Sequence, residues 1–208
     1  MKKPAEWVCV KEETLLDTPF MKILQRDCNS TDSPSHLHRF YLFKSRDWCN
    51  VIPITEDGKV VLVQQYRIGI SEQTLEIPGG VADVTDGNIQ ESALREMTEE
   101  TGYEALPGAR VENLGWTYPN PAIQDNRCHS FVVGPVRRTH EQKLDPAESI
   151  NVIEVPLEDI PGMILSGQLS HALMLNTFLF LLLRDQEKSK DPSNTLSLSL
   201  RRFQTAHP

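Results

Sequence analysis

Three glutamates within one turn of a predicted helix constrain this chain more than any other feature of its sequence. Glu96, Glu99 and Glu100 stand shortly before Gly102. Residues three and four apart share one face of a helix, so their carboxylates are predicted to enter one small volume. Gly102 is a typical helix-ending residue, which places the acids at the negative end of the helix dipole. Each carboxylate there costs about 0.3–1 kcal/mol unless a cation neutralises it.

The helix that carries these acids is predicted independently of them. Asp86 or Asn88 can cap its beginning, and Gly102 ends it. Arg95 stands four residues after Glu91 and four before Glu99, so we expect it to pair with both acids and to hold the cluster in place. Apolar residues recur at helical spacing and are predicted to face a core: Ile89, Ala93 and Met97.

A divalent cation is the partner that this arrangement favours. Ligands that are all oxygen suit Mg²⁺ or Mn²⁺, which bind phosphate oxygens beside one or two carboxylates. The ordinary alternative is a solvated acidic face, but a solvated helix gains nothing from glutamates in its last turn, where lysines would be more favourable. The pattern therefore indicates metal-assisted attack on a phosphate.

The segment from Gly80 to Tyr103 resembles the signature of the Nudix hydrolases. Its second half, from Arg95 onward, matches that signature at every position. The first half departs from it, because Asp86 replaces a glutamate and one extra residue separates Asp86 from Arg95. The resemblance implies that the first acid mainly organises the arginine, and that the metal ligands come from the second half.

The resemblance covers most of residues 5–184 and implies an α/β fold, namely a Nudix α/β/α sandwich with a mixed sheet. Segments outside the signature resemble the ADP-ribose and nucleoside-diphosphate-sugar pyrophosphatases: Gln65 to Arg67, Leu75 to Gly80 and Gly167 to Ala172. Pro119 follows the signature at the distance typical of the ADP-ribose branch. The residues around it lack the Ser-Pro-Gly form common in that branch, so the preferred sugar diphosphate stays open.

The resemblance also implies roles for individual residues. The metal ligands would be Glu96, Glu100 and Glu99, assisted by a backbone carbonyl near Gly79 or Gly80. Glu148, just before a strand at Ile150, takes the place of the general base, and the other catalytic residues would be Glu99 and Arg95. The substrate-binding candidates are Arg67, Glu76, Pro119 and Trp7. Each has an ordinary alternative: a loop acid for Glu148, a surface ion pair for Arg67, a helix partner for Glu76 and packing for Trp7.

We predict three segments along the chain: an N-terminal antiparallel β appendage (1–45), the Nudix domain (46–184) and a polar tail expected to be mobile (185–208). Glu56 to Lys59 forms a strong hairpin signal between two strands. The predicted strands are Phe20–Gln25, Arg39–Lys44, Val51–Thr55, Val60–Gln64, Ala109–Tyr118, Cys128–Val133 and Ile150–Val155. A short helix is expected from Leu157 and a long apolar one from His171 to Arg184, and alternating Leu196, Leu198 and Leu200 could add a strand.

Composition narrows the class of protein. A formal net charge of −8 argues against nucleic acid as a partner, since such binding depends on clustered Lys and Arg. The four cysteines have no pairing or metal-ligand spacing, which favours a reducing, cytoplasmic location. The apolar run Phe178 to Leu183 is too short to span a membrane, and the N-terminus lacks a signal-peptide pattern.

We therefore expect a Mg²⁺-dependent pyrophosphohydrolase that cleaves ADP-ribose or a related nucleoside diphosphate sugar to a nucleoside monophosphate and a sugar phosphate. The resemblance further implies a homodimer whose N-terminal strands help to build the partner's site. Two alternatives stay open: a Nudix hydrolase of a dinucleoside polyphosphate or capped RNA, and a non-catalytic domain that senses a nucleotide. Domains of the second kind usually lose acids from the signature, whereas Glu96, Glu99 and Glu100 are all present here.

Overall fold

The computed structural model describes residues 3–189, 195, 201, 203 and 204. The chain falls into two units, one formed by residues 1–47 with 118–127 and the other by 48–117 with 128–208. The predicted appendage lies within the smaller unit, which also takes in the segment around Pro119.

The smaller unit is built on a three-stranded antiparallel sheet in the order β1-β2-β3. Its strands are β1 (Trp7–Asp17), β2 (Met21–Ser30) and β3 (Ser33–Ser45). The strands predicted from Phe20 and from Arg39 overlap β2 and β3, but β1 was not predicted. Its residues are all exposed and its centre is charged, so it lacks the alternation of apolar and polar residues that marks a half-buried strand.

The larger unit contains a mixed sheet in the order β10-β5-β4-β9-β8, with β6 paired to β5 and β7 to β4. Strands β4 and β9 run parallel, and the other pairs are antiparallel. The strands are β4 (Trp48–Thr55), β5 (Lys59–Arg67), β6 (Glu72–Glu76), β7 (Gly79–Val81), β8 (Tyr103–Thr117), β9 (Cys128–Arg138) and β10 (Ile150–Pro156). The helices are α1 (Ile89–Thr101), α2 (Ile160–Leu165) and α3 (Ala172–Ser189).

Alternation along the central strands produces two separate cores, one on each face of this sheet. Val51 and Val61 pack with Ala93 and Met97 of α1. The neighbouring strand positions turn the other way and join apolar residues of α2 and α3: Ile52, Leu62, Ile160, Phe178 and Leu181. Successive side chains of a strand point to opposite faces, so helices cover both sides. The predicted α/β/α sandwich is confirmed.

The predicted hairpin is confirmed at the β4–β5 connection, where Gly58 adopts a φ of +80°. The predicted tail (185–208) begins within a helix. Helix α3 continues to Ser189, and Phe203 is fully buried in the core on the α3 face. Gly134 makes room for it, because a Cβ there would lie 2.1 Å from the Phe203 carbonyl oxygen. The alternating leucines 196, 198 and 200 lie outside the described residues.

Across the described ranges, none of the helices combines the length and the apolar character needed to cross a membrane.

Candidate active site

Helix α1 begins and ends where its capping residues predict. The side chain of Asn88 accepts hydrogen bonds from the backbone N–H groups of Gln90 (3.0 Å) and Glu91 (3.1 Å). Gly102 ends the helix in the left-handed conformation with a φ of +75°, and its N–H donates to Thr98 O at 2.8 Å. Asn88, rather than Asp86, is therefore the N-cap.

Arg95 lies at the centre of an ionic network of three carboxylates. Its guanidinium reaches Asp86 at 3.2 Å, Glu96 at 3.0 Å and Glu99 at 2.7 Å. The bond from Arg95 holds the pKa of Asp86 below its ordinary value. The predicted pairing of Arg95 with Glu99 is confirmed, and Asp86 replaces a glutamate without loss of the ion pair.

The predicted pairing of Arg95 with Glu91 is wrong. Glu91 instead accepts hydrogen bonds from Gly87 N (3.1 Å) and Asn88 Nδ2 (2.7 Å). Both donors belong to the loop that precedes α1, so Glu91 closes that loop against the first turn of the helix. The extra residue in this loop is accommodated there.

Glu100 is the most deeply buried of the clustered acids, with 4% of its surface exposed. Its Oε2 accepts a hydrogen bond from Gly79 N at 2.9 Å. Burial raises the pKa of Glu100 to about 8, and the nearby charges of Glu96 and Glu148 act in the same direction. Burial also raises the pKa of Glu96, although Arg95 opposes that shift. Burial thus outweighs the nearby positive charge of Arg95 at Glu96 and of Arg67 at Glu100, and a bound cation would favour the ionised form of both carboxylates.

The Gly79-Gly80 pair lets strand β7 lie close both to this helix and to strand β4. A Cβ on Gly80 would lie 2.4 Å from the Glu96 carboxyl carbon. A Cβ on Gly79 would lie 2.3 Å from the carbonyl oxygen of Cys49. A side chain at Gly80 would push the strand away from α1, and one at Gly79 would push it away from β4. The predicted role of Gly79 as a metal ligand stays a prediction.

The three predicted carboxylate ligands of the metal line one cleft of about 360 Å³ together with Glu148. In the part of the chain that the structure describes, no three His, Cys, Asp or Glu side chains converge as a ready metal cluster. Arg95 holds Glu96 and Glu99, whereas Gly79 holds Glu100. The donor set nevertheless fits a hard cation, since it is all carboxylate oxygen and two of its members have pKa values raised by burial.

Glu148 is exposed in the loop between β9 and β10. Its Oε2 accepts a hydrogen bond from Asp145 N at 3.0 Å, so the carboxylate is folded onto its own loop. Apo structures often show catalytic groups away from the geometry they use in the complex. The structure brings Glu148 to the acidic cleft, and its role as base stays a prediction.

Arg67 and Glu76 form a pair in which Glu76 is fully buried. Arg67 donates from Nε and Nη2 to the two oxygens of Glu76 at 2.7 and 2.6 Å, and Thr74 donates a further bond at 2.7 Å. Burial raises the pKa of Glu76, but the bonds from Arg67 and Thr74 outweigh it and leave the pKa below its ordinary value. Glu76 is thus an ionised partner that fixes Arg67.

A second cleft, of about 770 Å³, is lined by Arg67 and adjoins the acidic cleft, because Glu148 lines both. His171 also lines it, and burial lowers the pKa of its imidazole. The His171 carbonyl accepts bonds from Met174 N and Leu175 N, both at 3.0 Å, which confirms that it begins helix α3. His171 was predicted only as the first residue of this helix, and not as part of a cleft.

The other two substrate-binding candidates lie in the smaller unit. Trp7 is 50% exposed, and its ring packs edge-on against those of His38 and Phe40 at centroid distances of 5.1 and 5.0 Å. Pro119 is half-buried in the segment 118–127. The substrate contacts of Trp7 and Pro119 stay predictions.

Comparison with known proteins agrees with this geometry. The family model described as NUDIX domain matches residues 44–178. An ADP-ribose pyrophosphatase of Bacillus subtilis (strain 168) is 29% identical over 136 residues, which cover 65% of this chain and 71% of the relative. A methanol dehydrogenase activator of Bacillus methanolicus is 33% identical over 113 residues, which cover 52% of this chain and 57% of the relative.

One solved structure, described as the crystal structure of ADP compounds hydrolase, has the same fold. It superposes with a TM-score of 0.73 at 18% sequence identity, and the match covers 91% of this chain and 98% of that one.

Proposed function

We propose, since this chain belongs to the Nudix family, that it is a Mg²⁺-dependent pyrophosphohydrolase of ADP-ribose or a related nucleoside diphosphate sugar. The products would be a nucleoside monophosphate and a sugar phosphate. The observation that carries the proposal is the acidic cleft, where the buried Glu100 and the half-buried Glu96 face the same space as the exposed Glu148. The ADP-ribose pyrophosphatase and the ADP compounds hydrolase among its matches support this substrate class.

Glu96, Glu99 and Glu100 would hold Mg²⁺, or Mn²⁺ in its place, with the backbone at Gly79 beside them. When bound, the cation supplies the positive charge that offsets the negative charge of the diphosphate. Arg95 orients two of these acids through its bonds to Glu96 and Glu99.

Glu148 would act as the general base. A water oxygen forms a bond to one phosphorus atom while the bridging P–O bond breaks, and the leaving phosphate carries away the electron pair. Glu148 takes the proton of that water, for which its exposed carboxylate must leave the backbone N–H of Asp145. A loop side chain with a single such contact can make this movement at little cost.

Arg67 would bind a phosphate oxygen at the boundary of the two clefts. Glu76 occupies its Nε and Nη2, and Nη1 has no acceptor among the described residues. A buried, ionised Glu76 would thus orient the guanidinium and leave one edge for the substrate. Trp7 and Pro119 complete the proposed substrate-binding set, with Trp7 supplying an aromatic face for a nucleobase.

We also propose a cytoplasmic homodimer assembled through the N-terminal sheet. The sheet exposes large apolar side chains that a second copy would cover: Trp7, Val8, Val10, Leu37 and Tyr41. The four cysteines are free thiols, as expected of a reducing compartment. Deletion of residues 1–45 should give a monomer with poor activity, and a fully active monomer in light scattering and turnover assays would contradict the dimer.

The test is product formation from a panel of ADP-ribose, ADP-glucose, GDP-mannose, UDP-glucose and diadenosine polyphosphates, with Mg²⁺ or Mn²⁺. Nucleotide products are resolved by chromatography, and E100Q serves as the inactive control. We expect one nucleotide sugar to be cleaved by the wild type and not by E100Q. Cleavage of diadenosine polyphosphates alone would point to another Nudix substrate, and binding without cleavage in the whole panel would point to a nucleotide sensor.

A further inference from the structure

The loop between β9 and β10 is anchored on the C-terminal end of α1. A helix end leaves about four carbonyl groups without partners inside the helix. Here the loop supplies donors for several of them. Lys143 N donates to Glu99 O at 2.8 Å, and Thr139 N and His140 N donate to Gly102 O at 3.0 and 3.1 Å.

The side chain of Gln142 contacts both the acidic helix and the strand that follows the loop. Its Nε2 donates to Glu100 O at 2.6 Å and to Ile150 O at 3.1 Å. Glu100 belongs to the acidic cluster, and Ile150 is the first residue of β10. A single half-buried amide therefore joins the end of the acidic helix to the strand that follows the loop.

The remainder of the loop has a different character. Residues 145–149 are all exposed. Glu148 contacts Asp145 within the same turn, through its own N–H (2.9 Å) and through its carboxylate (3.0 Å). The loop thus consists of a fixed stem that ends at Gln142 and Lys143, and of an exposed tip that carries Glu148. Exposed segments with few contacts are the ones that open most easily.

We propose that Gln142 is a positioning residue that sets where the Glu148 tip stands relative to the acidic cluster. The inference rests on the proposed function, in which Glu148 is the base. Gln142 touches the Glu100 backbone rather than its carboxylate, so its side chain can be removed without changing any ligand. A misplacement of about 1 Å can cost about 100-fold in rate, so loss of the stem acts on kcat through Glu148.

The experiment compares Q142A with Q142K. Lysine keeps N–H donors for the two carbonyl groups, and a cation is favourable at the C-terminal end of a helix. We expect Q142A to lower kcat by about 10-fold or more, with KM and Mn²⁺ affinity changed less than about 2-fold, and Q142K to recover most of the loss. The matched control is E141A, because the neighbouring Glu141 side chain is 96% exposed.

A double-mutant comparison tests whether Gln142 acts through Glu148. If it does, Q142A should slow the E148Q variant no further, because the group that it positions is already gone. Equal slowing in both backgrounds would overturn the inference, as would a parallel loss of Mn²⁺ affinity or a failure of Q142K to recover activity.

Hydrogen–deuterium exchange keeps the inference separate from the proposed function, because it needs no turnover. In Q142A the amides of residues 143–149 should exchange faster, with those in the middle of α1 unchanged. Unchanged exchange in the loop would overturn the positioning role whatever the protein hydrolyses. Faster exchange with no hydrolysis of the panel would support the anchor and count against the proposed function alone.

Discussion

Replacing Glu100 with Gln should stabilise the metal-free protein at alkaline pH while abolishing catalysis. The carboxyl group is buried, and its pKa rises from the ordinary 4.5 to about 8. Glutamine has nearly the same shape and retains an oxygen that can accept the bond from Gly79 N. The substitution therefore removes the buried charge with little loss of packing.

The direction of the change in stability with pH follows from proton binding by Glu100. The folded-state pKa lies above the unfolded one, so the contribution of Glu100 is fully present below about pH 4.5 and is lost as the pH rises through about 8. At about 1.4 kcal/mol per unit, the whole shift corresponds to about 5 kcal/mol. The new amide can leave an unpaired N–H group at a cost of about 1–3 kcal/mol, so the net gain near pH 9 should be about 2–4 kcal/mol.

Thermal unfolding in EDTA near pH 5 and near pH 9 measures this effect. For a chain of this size about 1 kcal/mol moves Tm by about 2–4 °C, so E100Q should melt at least about 4 °C above the wild type near pH 9. Near pH 5 the Tm of E100Q should equal that of the wild type or lie slightly below it. The control is E141Q, which makes the same chemical change on an exposed side chain and should leave both values unchanged. Added Mg²⁺ should raise Tm of the wild type only.

A result in which E100Q is less stable than the wild type by the same margin at both pH values would refute the reasoning. It would mean that the carboxylate carries no desolvation cost, and that its hydrogen bond to Gly79 dominates.

Three further outcomes are expected. E148Q should lower kcat by about 100-fold or more with little change in Mn²⁺ affinity, which turnover assays and metal titration would check. Arg67→Ala should destabilise the fold by about 3–5 kcal/mol because it leaves the buried Glu76 without its cation. Adding Glu76→Leu should restore stability but not activity. Equal denaturation curves for Arg67→Ala and the wild type would contradict this prediction. Gly80→Ala should reduce stability and Mn²⁺ affinity together, since its Cβ would stand 2.4 Å from the Glu96 carboxyl carbon, and unchanged metal binding would count against that close approach.

The sequence by itself was sufficient for features set by local spacing. Periodicity and capping residues located α1, and the spacing of Glu96, Glu99 and Glu100 placed three acids at one end of it. The hairpin around Gly58 followed from turn chemistry, and the layering of the sheet was implied by the family resemblance. These signals are readable because each depends on residues within a few positions of one another.

Tertiary structure decided the partners of those residues. Arg95 pairs with Asp86 rather than Glu91, because the carboxylate of Glu91 accepts hydrogen bonds from the loop before the helix. Likewise, the ion pair of Arg67 and Glu76 arises across two strands of the sheet, and Phe203 is buried although it stands in a polar segment.

The same limit applies to the site. No local pattern marks Gln142, because its importance lies in two carbonyl groups that belong to distant elements. The raised pKa of Glu100 comes from the burial that β7 and the sheet impose, and a sequence cannot show it. Spacing along one helix determines which charged side chains share a face. Burial and contacts between distant residues depend on how the loops and strands pack around that helix.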